Sequence, residues 1–307
     1  MEYKLYRLTF QSAVHFGKHN LDEGEYTCCA DTFFSALCQE AFKIGDDVLQ
    51  SLVRYAKEGS LLLSDLFPYV GDTYYVPKPM KRIVSAENDG NSKVKKAYKK
   101  LKYIPMDMLD VYLQGTYDVL NAPNLEELGH FAMKTAAAVR GEAETEPYRI
   151  GMYYYNFGSG LYFIIGYQKE EILELAETLL ENLSFSGIGG KRASGLGRFE
   201  LFSGKLSDSF CKRLGKNGTR YMSLSVALPT DKELETVLHD AEYLLCKRSG
   251  FVASEQYAPE QMRKKDLYVF KAGSCFAEQF GGDVYDVSGK CGRHPVYRYA
   301  KPMLMEV

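Results

Sequence analysis

Apolar residues along the chain fall into two recurring periods, and their alternation lays out a fold. From Tyr3 to Phe10, the side chains of Tyr6, Leu8 and Phe10 share one face at a period of two, which predicts a strand. Phe33, Phe34, Leu37, Cys38, Ala41 and Phe42 follow at helical spacing. Asp31 stands before them where an N-cap belongs, and Gly45 follows as the C′ residue. Leu61 to Leu66 reads as a short strand, whereas residues 67–158 show no clear single element. Leu161 to Tyr167 is a continuous apolar strand. Over residues 170–183, Ile172, Leu173, Ala176, Leu179, Leu180 and Leu183 oppose a row of glutamates, the pattern of a helix with one buried face. Arg198 to Phe202 reads as the strand after it. The order is βαβ, a long insertion, then βαβ. It predicts an α+β, ferredoxin-like domain over residues 1–203 with an insertion at 67–158.

A second unit is expected over residues 219–307. Tyr221, Ser223, Ser225 and Ala227 alternate with Met222, Leu224, Val226 and Leu228 at a period of two. Thr230 and Glu233 have capping-box spacing ahead of Leu234, Val237 and Leu238. Leu244–Phe251, Leu267–Lys271 and Val296–Tyr299 are further strand candidates. The order of elements predicts a second, smaller ferredoxin-like domain.

Composition narrows the class. The chain has 307 residues, 46% of them hydrophobic, which suits a globular protein of about two domains. No apolar run has the length of a membrane span. The alternation of Met1–Phe10 is expected to exclude a signal peptide. Seven cysteines, with no Cys-x-x-Cys pair, read as reduced thiols in a cytosolic protein.

The net charge of -2 says nothing by itself about nucleic acid, but its distribution does. Between Lys78 and Tyr103 lie nine lysines and arginines, among them Lys93, Lys95, Lys96, Lys99 and Lys100, against two acids, Glu87 and Asp89. That segment carries +7 and leaves -9 for the remainder. A solvated surface is the ordinary explanation of a lysine run. Separation on this scale in an acidic chain points instead to a nucleic-acid contact. Tyr98 and Tyr103 lie among the lysines as candidate stacking rings. Pro77, Pro79 and the turn signal Asn88–Asn91 suggest a flexible projection rather than core.

The densest local chemistry lies at residues 187–197. Gly187, Gly189, Gly190, Gly195 and Gly197 surround Lys191, Arg192 and Ser194, a composition that suits an anion held by backbone N–H groups and basic side chains. The loop is not a P-loop, because Gly190-Lys191 is followed by Arg192 and no glycine precedes it at the required spacing. It is not a dinucleotide fingerprint either, since Arg192 occupies the third glycine position counted from Gly187. The loop follows a helix, whose C-terminal dipole disfavours phosphate. Anion binding must therefore come from the loop N–H groups and side chains.

A ferredoxin-like domain with a glycine-rich loop between its last helix and last strand resembles the RAMP proteins of CRISPR systems. Val14-His15-Phe16-Gly17, Asp31 to Leu37, the lysine-rich run into Tyr103-Ile104-Pro105-Met106, Arg140, Gly160 to Phe163, Gly273-Ser274 and His294 to Tyr299 narrow the likeness. Together they resemble the fourth subunit of the type III-A Csm complex, over nearly the whole chain. The resemblance implies a non-catalytic subunit without cofactor or metal. Such a subunit caps the 5′ repeat-derived tag of the CRISPR RNA and joins the large polymerase/cyclase-like subunit to the backbone RAMP subunits. It implies RNA contacts from the glycine loop, from His15 and Phe16, from the lysine insertion as a thumb-like element, and from Arg140.

Related RAMP proteins cut RNA without metal, so a metal-independent repeat-RNA endoribonuclease is the alternative. It would depend on His15 or His19, whose four-residue spacing falls at a strand end and loop, not on a helix. A nucleotide-binding enzyme is the third reading, and both loop tests count against it.

Overall fold

Strand β1 (Glu2–Phe10) forms where predicted in the computed structural model, which describes residues 1–18, 20–83, 92–123, 125–138, 146–254, 256–290 and 292–307. It is followed by α1 (Ala30–Ile44), α2 (Asp46–Glu58) and β2 (Leu61–Leu63). Next come β3 (Phe67–Val70), β4 (Thr73–Pro77), α3 (Ser92–Lys100) and β5 (Tyr103–Pro105). A long hairpin, β6 (Gly129–Ala138) and β7 (Glu146–Tyr155), leads to β8 (Ser159–Tyr167), α4 (Glu170–Ser186) and β9 (Phe199–Gly204).

β1 lies between β8 and β9, antiparallel to both, with Leu8 opposite Leu161 and Leu201. β2 pairs with the far edge of β8, Leu63 opposite Ile165. The strand order is thus β9–β1–β8–β2, with α1 and α4 as the crossovers. All nine residues of β8 are buried, as befits a strand covered on both faces. On one face Tyr6, Leu8, Leu161 and Phe163 pack with Phe33, Phe34 and Leu37 of α1 and Leu179, Leu180 and Leu183 of α4. On the other, Leu5, Tyr162 and Ile164 pack with Phe210, Met222, Leu224, Met303 and Met305. Each such side chain fully removed from water contributes about 1.5–3 kcal/mol before entropy is counted.

Several expectations need correcting. Asp31 does not cap α1. Cys29 holds the N-cap position and Asp31 lies buried in the first turn, its carboxylate turned to two arginines. Gly45 does end α1, its N–H bonding the Ala41 carbonyl at 3.0 Å, but α2 starts at the next residue. Residues 67–158 contain elements after all: β3, β4 and β5 extend the main sheet beyond β8. The lysine segment is in part core, because Pro79 is buried and Tyr103 packs against Tyr26 and Phe67, while α3 buries no side chain.

The second unit contains β10 (Tyr221–Ser223), α5 (Leu234–Leu238), β11 (Leu245–Arg248), β12 (Leu267–Phe270), β13 (Cys275–Phe276), β14 (Asp283–Asp286), β15 (Tyr297–Ala300) and β16 (Leu304–Glu306). β10 has β16 on one side and β13 on the other. Beyond β10 the chain bends at Leu224 and Ser225, after which an isolated bridge pairs Ala227 with Phe270 and Leu228 N–H donates to the Ala300 carbonyl at 2.9 Å. β11 completes the row by pairing with β12. The strand predicted over 221–228 is thus shorter than expected, ending at Ser223, although the chain is buried from Tyr221 to Ala227. Glu233 accepts the Thr230 N–H at 2.8 Å, one half of the capping box. The units are stitched by backbone as well as side chains: Asp65 N–H donates to the Leu224 carbonyl at 2.8 Å, and the Tyr299 hydroxyl accepts from Leu63 N–H at 2.9 Å.

Candidate nucleic-acid interface

The glycine loop folds back onto the chain that leaves β1. Gly190 N–H donates to the His15 carbonyl and Gly197 N–H to the Ala13 carbonyl, each at 2.9 Å, and Ile188 N–H to the Gly197 carbonyl at 3.0 Å. A Cβ on Gly189 would lie 2.8 Å from the His15 carbonyl oxygen, and one on Gly197 2.0 Å from that of Ile188. Most of the glycine signal is therefore close packing. The N–H groups of Gly190 and Gly197 are committed to the protein, contrary to the expectation that the loop turns them to a ligand.

The loop tip is different. Lys191 adopts a left-handed conformation, Arg192–Ser194 forms a single tight turn, and Ala193 and Ser194 are exposed. The Lys191 ammonium lies 4.8 Å over the Tyr148 ring. Arg192 is anchored on α1, donating to Gln39 Oε1 and lying 3.8 Å from Glu40 Oε1.

His15 and Phe16 are both 6% exposed. His15 Nδ1 donates to the Gly151 carbonyl at 2.6 Å, and Phe16 packs edge-on against Phe10. Phe16 is enclosed by the protein, although it lines the cleft described below. His19 and Arg140 lie outside the described residues. Among the described residues, no group of three or more potential ligands is placed to hold a metal ion.

The loop, the end of β1 and the lysine segment meet at a cleft of about 850 Å³. His15, Phe16, Gly189, Gly190, Arg192 and Lys99 line it, so part of the predicted set converges. Lys93, Lys95, Lys96 and Lys100 lie on the same short helix but off the lining, and Lys191 and Ser194 stand at the loop tip outside it. Of the predicted stacking rings, Tyr103 lines the cleft and Tyr98 does not. The Tyr98 hydroxyl bonds the Tyr117 carbonyl, and Tyr103 packs against Tyr26 and Phe67.

Besides Lys78 and Lys102 of the lysine segment, the cleft draws charge from six residues that the sequence reading did not assign to the site: Lys18, Lys247, Arg248, Lys264, Lys271 and Arg298. With Lys99 and Arg192 the lining holds ten basic side chains against Glu25, Asp31 and Asp65. Lys18 is paired with Glu25 and Lys247 with Asp266. Lys78, Lys99, Lys102, Lys264 and Lys271 make no ion pair among the described residues. A second cleft of about 950 Å³, lined by Tyr69, Tyr74, Phe157 and Phe202, has no comparable concentration of cations, and Asp72 pairs with its Arg7.

Two buried carboxylates close the inner end. Asp31 accepts from Arg248 Nε at 2.9 Å and Nη2 at 2.7 Å, and from Arg298 Nη1 at 2.6 Å. Burial alone would raise its pKa, but the two guanidiniums outweigh that and hold the carboxyl below its ordinary range. Asp65 accepts two backbone N–H groups on one oxygen, from Ala30 at 2.7 Å and Val226 at 3.0 Å. Burial dominates there and raises its pKa to about 7.

Comparison with known proteins agrees with this architecture. A family model, the CRISPR Csm4 C-terminal domain, matches residues 216–307. The chain is 39% identical to the CRISPR system Cms protein Csm4 of Mycobacterium tuberculosis strain H37Rv, covering 99% of this chain and 98% of that protein. It is 35% identical to the Csm4 of Streptococcus thermophilus, covering 100% and 99%. A solved Csm3–Csm4 subcomplex of a type III-A interference complex contains a chain of the same fold, with a TM-score of 0.67 at 19% identity over 98% of both chains. A Csm1–Csm4 cassette bound to cA4 gives a TM-score of 0.63 at 18% identity, over 99% of this chain and 97% of that one. The chain belongs to the Csm4 family of type III-A CRISPR Csm complexes.

Proposed function

We propose that this chain is a non-catalytic RNA-binding subunit that caps the 5′ repeat-derived tag of a CRISPR RNA. In the same role it links the large polymerase/cyclase-like subunit to the backbone RAMP subunits, in defence against viruses and plasmids. The observation that carries the reading is the cleft, where ten basic side chains from both units converge. Clustered cations of this kind neutralise phosphates and set the salt dependence of binding. The subcomplexes that share the fold pair Csm4 with Csm3 and with Csm1, which supports one partner of each kind here.

The β9–β1–β8–β2 order with its two crossover helices is read as a ferredoxin-like RAMP domain over residues 1–203, with its insertion at 67–158. Residues 219–307 are read as a reduced second copy. The RNA would run past the loop tip, where Lys191, Arg192 and Ser194 meet its backbone, with α3 on the opposite side. His15 serves the fold through its bond to Gly151, which favours capping over strand cleavage.

Removing the loop cations tests this reading. The double variant Lys191→Ala, Arg192→Ala is expected to weaken RNA binding and to reduce the salt slope by about 1.4, or 0.7 for each phosphate contact on a single strand. An unchanged slope would show that the loop is a turn and nothing more.

A further inference from the structure

The cluster around Asp31 holds more positive charge than it neutralises. Arg248 and Arg298 share the one carboxylate, and Lys264 feels both of them as well as Asp31. Arg298 is 5% exposed, and its Nε–H has no hydrogen-bond partner. The Lys264 ammonium makes no hydrogen bond or ion pair among the described residues. Burial, then the neighbouring Arg298, lowers its pKa, so the protein alone disfavours a third cation at this position. Lys264 is half-buried and Arg298 buried, and buried donors ordinarily find acceptors. All three basic residues line the cleft.

We propose that Arg248, Lys264 and Arg298 form a subsite for a phosphoryl oxyanion, built at the junction of α1 with the second unit. The identity of its ligand as RNA rests on the function proposed above; the excess charge does not. Guanidinium donors from two strands, β11 and β15, and an ammonium from the loop before β12 suit the tetrahedral oxygens of phosphate. The same chemistry is offered by an internal phosphodiester and by a 5′-terminal phosphate. All three cations belong to the second unit, and the first supplies Asp31, which holds Arg248 and Arg298 in place, so this arrangement exists only when the units are docked.

Lys264 gives the cleanest test, since no carboxylate depends on it for an ion pair. Thermal unfolding of the full chain would be followed in inorganic phosphate and in chloride at matched ionic strength. The proteins are wild type, Lys264→Met, Lys264→Arg and, as a control for lost charge, Lys232→Met at an exposed position outside the cleft. Phosphate is expected to raise the wild-type midpoint. That rise should vanish in Lys264→Met, return in Lys264→Arg and persist in Lys232→Met. Binding of a short single-stranded RNA with either a 5′-hydroxyl or a 5′-phosphate would then be titrated across salt. Lys264→Met should lose about tenfold in affinity and about 0.7 in salt slope. A greater loss on the 5′-phosphorylated RNA assigns the subsite to the terminal phosphate, and equal losses assign it to an internal phosphodiester. Equal phosphate-induced rises in wild type and Lys264→Met overturn the subsite, even where the wild type binds RNA normally. Loss of the phosphate effect in a protein that binds no RNA keeps the oxyanion site and removes the RNA reading instead.

Discussion

Gly195 and Gly197 share a left-handed backbone, at φ 82° and 80°, but obey different constraints. A methyl group on Gly195 meets open space, whereas one on Gly197 meets the Ile188 carbonyl oxygen. Gly195→Ala should therefore cost about 1 kcal/mol of backbone strain, and Gly197→Ala about 3 kcal/mol or more, in denaturant unfolding. Similar costs would show that Gly197 does not close on Ile188 as described. Asp65 makes a prediction in pH. Its folded pKa, about 7, stands above the ordinary 3.8, so the folded state holds the proton more tightly than the unfolded chain. Its contribution to stability is therefore full at low pH and declines as pH rises from about 4 to 7. Asp65→Asn keeps an acceptor for Ala30 and Val226 and should gain on the wild type across that window, by an amount of order 1–3 kcal/mol. A difference between the two that stays constant with pH would contradict the buried titration. Single residues were the least legible scale in the sequence. Asp31 before an apolar helical pattern looks like a cap, because nothing local announces arginines more than two hundred positions away.

At the scale of elements, period and burial agree wherever one element meets one core. β1, β8 and α4 were readable because their apolar residues repeat against a single neighbour, or run unbroken. α2 was readable in principle, since Leu52, Val53 and Ala56 form its buried stripe. Its start directly after a helix-ending glycine hid it. The strands β3, β4 and β5 escaped because they are short and rich in tyrosine and proline, and their partners are not adjacent in sequence. The helix α3 is a charged surface held in place by Lys78, whose ammonium donates to the Tyr98 carbonyl at 2.8 Å, and by the packing of Tyr98 beside Tyr112. Replacing Lys95, Lys96, Lys99 and Lys100 with glutamine should leave the melting temperature within about 2 °C, because none is buried and each exposed change is worth under 0.5 kcal/mol. The same variant should lose RNA retention or assembly with partner subunits. Unfolding would place this face in the core, and full retention would remove α3 from the RNA path.

The whole molecule adds what neither smaller scale contains. Five basic residues of the cleft, Lys247, Arg248, Lys264, Lys271 and Arg298, are spread over residues 247–298 of the second unit, where the short groups Lys247-Arg248 and Arg263-Lys264-Lys265 do not stand out as the lysine segment does. They face the glycine loop only because the two units dock across the main sheet. The Asp31 pairs span that junction, from α1 to β11 and β15. Asp31→Asn would strand two buried guanidiniums and should destabilise by about 3–5 kcal/mol. Limited proteolysis should then open the segment between β9 and β10 first, and a wild-type cleavage pattern would argue against the ion pairs as the joint. The central claim is that this assembled cleft receives the tagged end of a CRISPR RNA. Its most direct test is binding of a CRISPR RNA carrying its 5′ repeat-derived tag, compared with the same RNA with the tag scrambled, at fixed salt and in EDTA, with the products resolved on a gel. The account predicts tighter binding of the tagged RNA, recovered intact. Cleaved RNA, or equal binding of both RNAs by the chain and by its assembled complex, would contradict it.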